Sequence, residues 1–178
     1  MSSAPRRKKS TGDGPKPRTV SRMAAVQALY QMDLAGTDAG EVIEQFNSPP
    51  PSPPEGAPEP EPDADSMTSL EGADATFFAD VVKGVVRRQR EIDPLVDQQL
   101  RTGWRLVRVD SILRAILRAG VFETLERSDV PARVIINEYI NIAKAFFEGD
   151  EPKVVNGVLD RIAHKLRAKE FTTPGDGE

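Results

Sequence analysis

Apolar residues recur at three- and four-residue spacing through two long stretches of the chain, and nowhere do they alternate with a period of two. That pattern predicts helices and argues against strands. From Thr19, the series Met23, Val26, Tyr30 and Leu34 predicts a helix that stops at Gly36. A short second helix follows an Asp38 cap through Val42, Ile43 and Phe46. Asp74 opens a third with Phe77, Phe78, Val81, Val82, Val85 and Val86, trailing into Arg87, Arg88 and Arg90, cations that suit a helix C-terminus. Asp93-Pro94 reads as a cap with proline at the first helical position, predicting a separate short helix to about Leu100. Three more helices are expected. Asp110 leads to Leu113, Ile116, Leu117, Phe122 and Leu125, and Asp129-Val130-Pro131 to Val134, Ile135, Tyr139, Ile142 and Phe146. Asp150 leads to Val155, Val158, Leu159, Ile162 and Leu166. Acidic residues at each start are what capping favours. The expected fold is an all-α bundle of about seven helices joined by mostly short loops.

Composition changes this picture in one place. Eight of the fifteen prolines lie between Pro49 and Pro62, within a stretch from Asn47 to Ala73 made of Pro, Glu, Asp, Ser and Gly. So few apolar groups cannot offset an ordering entropy of roughly 1–2 kcal/mol per residue. The expected division is a disordered basic arm over 1–17 and a helical domain over 18–169. That domain carries a disordered acidic insert at 47–73, and a flexible tail runs over 170–178.

The net charge of −4 is the sum of unlike segments. Residues 1–32 hold seven bases against Asp13 alone, whereas residues 33–82 hold twelve acids and no base. The basic arm reads either as an anion-binding element or as a solubilising tail.

Several chemistries are excluded. Without cysteine there is no disulfide framework, Cys-based zinc site, iron–sulfur ligation or thiol catalysis. His164 is the single histidine, four residues after Asp160, where an i,i+4 pair explains it. No phosphate-cradling glycine loop, nucleophile elbow or H-E-x-x-H occurs. The expectation is no catalysis, metal or cofactor. The N-terminus lacks the apolar core of a secretory signal, and no apolar run approaches the ~20 residues of a membrane span, so a cytoplasmic protein is expected.

Three segments carry a resemblance. They are Arg22-Met-Ala-Ala-Val-Gln-Ala-Leu-Tyr30; Leu113-Arg-Ala-Ile-Leu-Arg118 with Ser128-Asp-Val-Pro131 and Ile136-Asn-Glu138; and Ala143-Lys144 and Phe146 with Val155-Asn-Gly-Val-Leu-Asp160. In order and spacing they resemble the NusB transcription antitermination factor family, from about Arg18 to Leu166. The resemblance implies two packed helical subdomains and binding to boxA RNA of ribosomal RNA operon transcripts. It also implies pairing with NusE, a small-subunit ribosomal protein, and indirect contact with other Nus factors and RNA polymerase. Monomer and homodimer both remain open. Two departures stand out: the 47–73 insert, and Val154 where family members often have an aromatic residue.

RNA contact is expected at Arg18, Arg22, Gln27, Tyr30, Lys144, Phe146, Asp150, Lys153 and Asn156. Arg18 and Arg22 are four apart at a helix start, where positive charge opposes the helix dipole, so a shared phosphate-bearing ligand explains them better than stability does. Tyr30 is either packed or stacked on a base. Asn137, Asn141 and Lys144 form a polar stripe, while Gly157 beside Asn156 suggests close approach by a helix or by RNA. Lys153 is a phosphate candidate, and Asp150 would both cap its helix and repel phosphate. The helix from Asp110, with the loop before it, presents charged and apolar groups together. NusE contact is therefore expected through Trp104, Asp110, Arg114 and Arg118. Two alternatives remain: the NusB-like accessory domain of an RNA cytosine methyltransferase, and a helical interaction module without RNA binding.

Overall fold

The computed structural model describes residues 16–48, 54–56, 70–100 and 109–172. Most of the basic arm, most of the acidic insert, Trp104 and the last residues of the tail lie outside the described residues. Six α-helices and no strand occur among the described residues: α1 Pro17–Ala35, α2 Ala39–Asn47, α3 Ala75–Gln99, α4 Ser111–Glu126, α5 Ala132–Phe146 and α6 Glu151–Leu166. A short 3-10 turn, Ala168–Glu170, closes the series.

The expected seventh helix does not exist as a separate element. Pro94 lies inside α3, which continues from Ala75 to Gln99. An interior proline costs about 3 kcal/mol through its missing N–H and its ring. Ile92 and Val96, buried on the same face, offset that with about 1.5–3 kcal/mol each. Asp93 does not cap. Its two oxygens accept from Arg118 Nε and Nη2 of α4, both at 2.9 Å.

Helix α4 is buried almost all round, from Leu113 to Thr124, which is the signature of a central helix. Helices α1, α3, α5 and α6 pack around it, and α2 closes on α1 and α3. The core is one contiguous cluster. Two glycines let helices approach α4 closely. A Cβ on Gly84 of α3 would overlap the Phe122 ring, and one on Gly120 of α4 would lie 2.8 Å from Leu159 Cδ1. Gly157, which the sequence singled out, has no neighbouring helix against it; an added Cβ would meet only the tip of Arg161, at 3.1 Å.

The carbonyls around the C-terminus of α4 gain a donor from a distance. Arg167, just past α6, donates to the backbone oxygens of Glu123, Thr124, Arg127 and Val130. A cation there also suits the negative end of the helix dipole. At the other end Asp110 Oδ1 accepts from Ile112 N at 2.8 Å, as predicted. Asp38 and Asp74 cap α2 and α3 likewise. Asp129 and Asp150 provide no side-chain cap.

Four predicted core residues, Leu34, Val86, Val134 and Leu166, are exposed. In the adjacent pairs Val85–Val86 and Val134–Ile135 one member is buried and the other faces solvent, because at those turns only one side of the helix is covered.

Candidate nucleic-acid interface

Helix α1 starts beside α5 and runs in the same direction. At one end Arg18 Nη1 donates to Asp129 Oδ2 at 3.2 Å, and Thr19 Oγ1 donates to Glu138 Oε1 at 2.9 Å. At the other end Tyr30 of α1 and Phe146 of α5 line one cleft. Ser21 Oγ fixes the start of α1 by donating to Asp74 O at 2.8 Å and accepting from Asp74 N at 2.9 Å.

Between those ends Arg22 departs from the expectation. Its side chain is 3% exposed and turned inward, with Nε and Nη2 each 2.8 Å from the two oxygens of Glu123, itself fully buried. Tyr139 Oη donates to the same carboxylate, and Glu138 stands 3.7 Å from Arg22 Nη1. Burial alone would lower the Arg22 pKa, but the Glu123 hydrogen bond and charge raise it above its ordinary value. Burial first, then the Glu123 charge, pushes the Tyr139 phenol well up. Arg22 is thus a core ion pair and offers no surface to a phosphate. Four-residue spacing aligns it with Arg18, but the shared stripe runs from surface to core.

The half-exposed line of α1 passes instead through Met23, Gln27 and Tyr30 to Leu34, which is 62% exposed. With Val26, Phe46, Ile112 and Phe146 these last residues line an apolar cleft of about 350 Å³. Gln27 Oε1 is shielded there without a hydrogen-bond partner. Such a cleft suits a flat ring or an apolar side chain. The structure therefore brings Gln27, Tyr30 and Phe146 together. Lys144 stands exposed two residues before Phe146, and Asn137 and Asn141 are exposed along the same helix. Beyond the α5–α6 turn Lys153 and Asn156 are exposed on α6, with Lys153 Nζ 3.5 Å from Asp150.

The four residues expected to face a partner are placed differently. Trp104 lies outside the described residues. Asp110 caps α4, Arg114 Nε reaches Asp33 Oδ2 at 3.0 Å, and Arg118 holds Asp93, with Asp33 4.0 Å away. These arginines staple α4 to α1 and α3. His164 keeps its expected Asp160 neighbour, 3.4 Å away, and stacks on Phe171 at 3.9 Å, so packing continues beyond the predicted domain end.

Sequence reasoning missed Glu123, Arg127 and Arg167, and, although it placed Tyr139 in the core, it missed its bond to Glu123. A signal existed for Glu123, a charged residue directly beside Phe122 in an apolar helix. None existed for Arg167, whose carbonyl partners lie about forty positions away in sequence.

The sequence model of the NusB family matches residues 19–164. A transcription antitermination protein NusB of Sinorhizobium fredii is 51% identical over 152 residues, covering 85% of this chain and 89% of that protein. The chain belongs to the NusB family. Among solved NusB family structures, that of T. maritima NusB has a TM-score of 0.68 at 27% identity, covering 89% of this chain and 99% of that one. A second, of antitermination factors NusB and NusE in complex with dsRNA, has a TM-score of 0.60 at 24% identity, covering 83% and 96%. At that identity the likeness concerns the fold. The family's all-helical architecture is thus present, and no helix among the described residues is long and apolar enough to cross a membrane.

Proposed function

We propose that this chain is a cytoplasmic transcription antitermination factor that binds boxA RNA of ribosomal RNA operon transcripts together with NusE and acts by binding, without catalysis. The observation that carries the reading is 51% identity, over 89% of its length, to a protein named for transcription antitermination. The relative solved with NusE and RNA supports both partners. In this reading the 18–169 domain provides the specific surface, with the arm 1–17 adding phosphate contacts. Bases stack at Tyr30 and Phe146, with Gln27 beside them, while Arg18, Lys144 and Lys153 meet phosphates and Asn156 adds a hydrogen bond. Asp150, exposed and paired only with Lys153, limits affinity by repulsion. Through NusE the complex joins other Nus factors and RNA polymerase.

The test is RNA affinity with and without NusE, for boxA and a scrambled sequence of equal length. NusE should tighten boxA binding, and by linkage boxA must tighten NusE binding by the same factor. Equal affinity for boxA and the scramble, with NusE present, would reject the proposal.

A further inference from the structure

The turn between α4 and α5 holds an arrangement that helix capping does not explain. Asp129 precedes Pro131, the N-cap of α5, yet α5 has no side-chain cap. The Asp129 carboxylate turns away from the helix. Its Oδ2 accepts from Arg18 Nη1 of α1 at 3.2 Å and from Arg127 Nη2 of the same turn at 3.0 Å, so two guanidinium groups converge on one oxygen. Both guanidiniums lie over the buried ring of Phe77, 4.7 Å and 5.0 Å from its centroid, so the ring supports them together with the anion between them. Arg127 is braced further by Asp80 at 3.4 Å, while its Nε is shielded and without a partner. The place itself is open, with the Arg18 and Asp129 side chains 41% and 52% exposed. Desolvation would raise the Asp129 carboxyl, but the Arg18 hydrogen bond and the Arg127 charge carry it below its ordinary range.

Two fixed guanidiniums around one anionic oxygen suit a phosphodiester as well as a carboxylate, because planar donor pairs match both. Lys16, exposed at the N-cap of α1, lies two residues before Arg18. We propose that Arg18 and Arg127 form a phosphate subsite for the RNA backbone, held shut in the free protein by Asp129, an internal carboxylate that the phosphate displaces. The inference rests on the RNA-binding reading above and assigns Arg127 and Asp129 to that site. Asp129 keeps the two arginines ordered and lowers affinity at once, since each RNA phosphate entering must break bonds already made. It also discriminates: an isolated anion gains little by displacing a tethered carboxylate, whereas a polyanion anchored elsewhere does so at high effective concentration.

The test is Asp129→Asn, which keeps the shape and removes the charge, in a double-variant cycle with Arg18→Ala. The wild-type chain saturated with NusE is titrated with boxA RNA at fixed salt. Asp129→Asn should bind two- to fivefold tighter, the upper figure corresponding to about 1 kcal/mol, the ceiling of an exposed ion pair. The gain should vanish in the Arg18→Ala background. Unchanged affinity, or a gain that persists without Arg18 and so reflects only the lower negative charge, overturns the proposal. Asp129→Ser serves the same cycle if the asparagine variant is poorly folded. A second probe separates this inference from the RNA reading. Tripolyphosphate is added while the side-chain Nε–Hε resonances of Arg18 and Arg127 are followed by NMR. They should move at lower tripolyphosphate concentration in Asp129→Asn than in wild type. If no RNA binds either form but this difference holds, the subsite stands and the RNA reading falls. If neither RNA nor tripolyphosphate distinguishes the two forms, there is no gated subsite.

Discussion

Replacing Glu123 with Gln is expected to be the most damaging conservative change in the chain. The wild-type carboxylate accepts two 2.8 Å bonds from Arg22 and a third from Tyr139, with no solvent at any of them. Glutamine keeps the volume but offers one acceptor oxygen and turns an amide toward donors. Arg22 is then a buried cation, 3% exposed, with Glu138 at 3.7 Å as its nearest remaining carboxylate. Breaking a buried pair by removing one partner costs about 3–5 kcal/mol. Single domains are stable by only about 5–15 kcal/mol, so the variant should lose a large share of its stability, and its Tm should fall by roughly 10–20 °C. Urea unfolding followed by helical circular dichroism measures this, and the midpoint should fall with an unchanged slope. The joint replacement of Arg22→Met, Glu123→Leu and Tyr139→Phe should recover most of the loss, because it removes the uncompensated charge together with the hydroxyl that paired with Glu123. By contrast Arg18→Ala, at an exposed pair, should cost no more than about 1 kcal/mol. A Glu123→Gln cost below 1 kcal/mol, similar to that of Arg18→Ala, would refute the assignment of this cluster to the water-free core.

Gly84→Ala should destabilise by about 1–3 kcal/mol, since the new methyl overlaps the Phe122 ring, whereas Gly157→Ala should stabilise by up to about 1 kcal/mol; the same urea titrations separate the two signs. Arg167→Ala removes a donor from four carbonyl oxygens around the end of α4, of which those of Glu123 and Arg127 keep a backbone N–H, and a loss of about 2–4 kcal/mol is expected, with faster amide exchange in the last turn of α4. The Tyr139 phenol, raised by burial and by Glu123, binds its proton more tightly folded than unfolded, so its contribution to stability is complete below the unfolded value of 10.0 and is lost as pH rises above it. Stopped-flow absorbance should show the Tyr139 phenolate arising only with unfolding, and Tyr139→Phe should lose that phase; a phenolate signal from Tyr139 in the folded protein would contradict its burial against Glu123.

Much of the fold was legible because helical periodicity reports directly which face is apolar. Every α-helix in the structure was predicted, and the starts of α2, α3 and α4 fall at the aspartates that cap them. The separate helix after Asp93 failed because Pro94 is a local signal, overruled by the burial of Ile92 and Val96 on the far side of it. The candidate site was legible only in part. Gln27, Tyr30 and Phe146 meet in one cleft, but Arg22 was misread because spacing gives the face of a helix and not what packs there. A carboxylate on α4 and a phenol on α5, both distant in sequence, decide that Arg22 points inward. Asp129 was read as a cap, but its carboxylate is taken by Arg18, distant in sequence, and by Arg127, two residues before it in the same turn.

The most direct test of the account is to reverse charge on one face at a time and measure boxA RNA affinity with NusE present. Lys144→Glu with Lys153→Glu reverses the exposed cations of α5 and α6 assigned to RNA, and Lys83→Glu with Arg90→Glu alters exposed positions on α3 by the same net charge. The account expects a loss of about tenfold or more, roughly 1.4 kcal/mol, from the first pair and less than twofold from the second. Equal losses from the two faces, or the larger loss from α3, would contradict it.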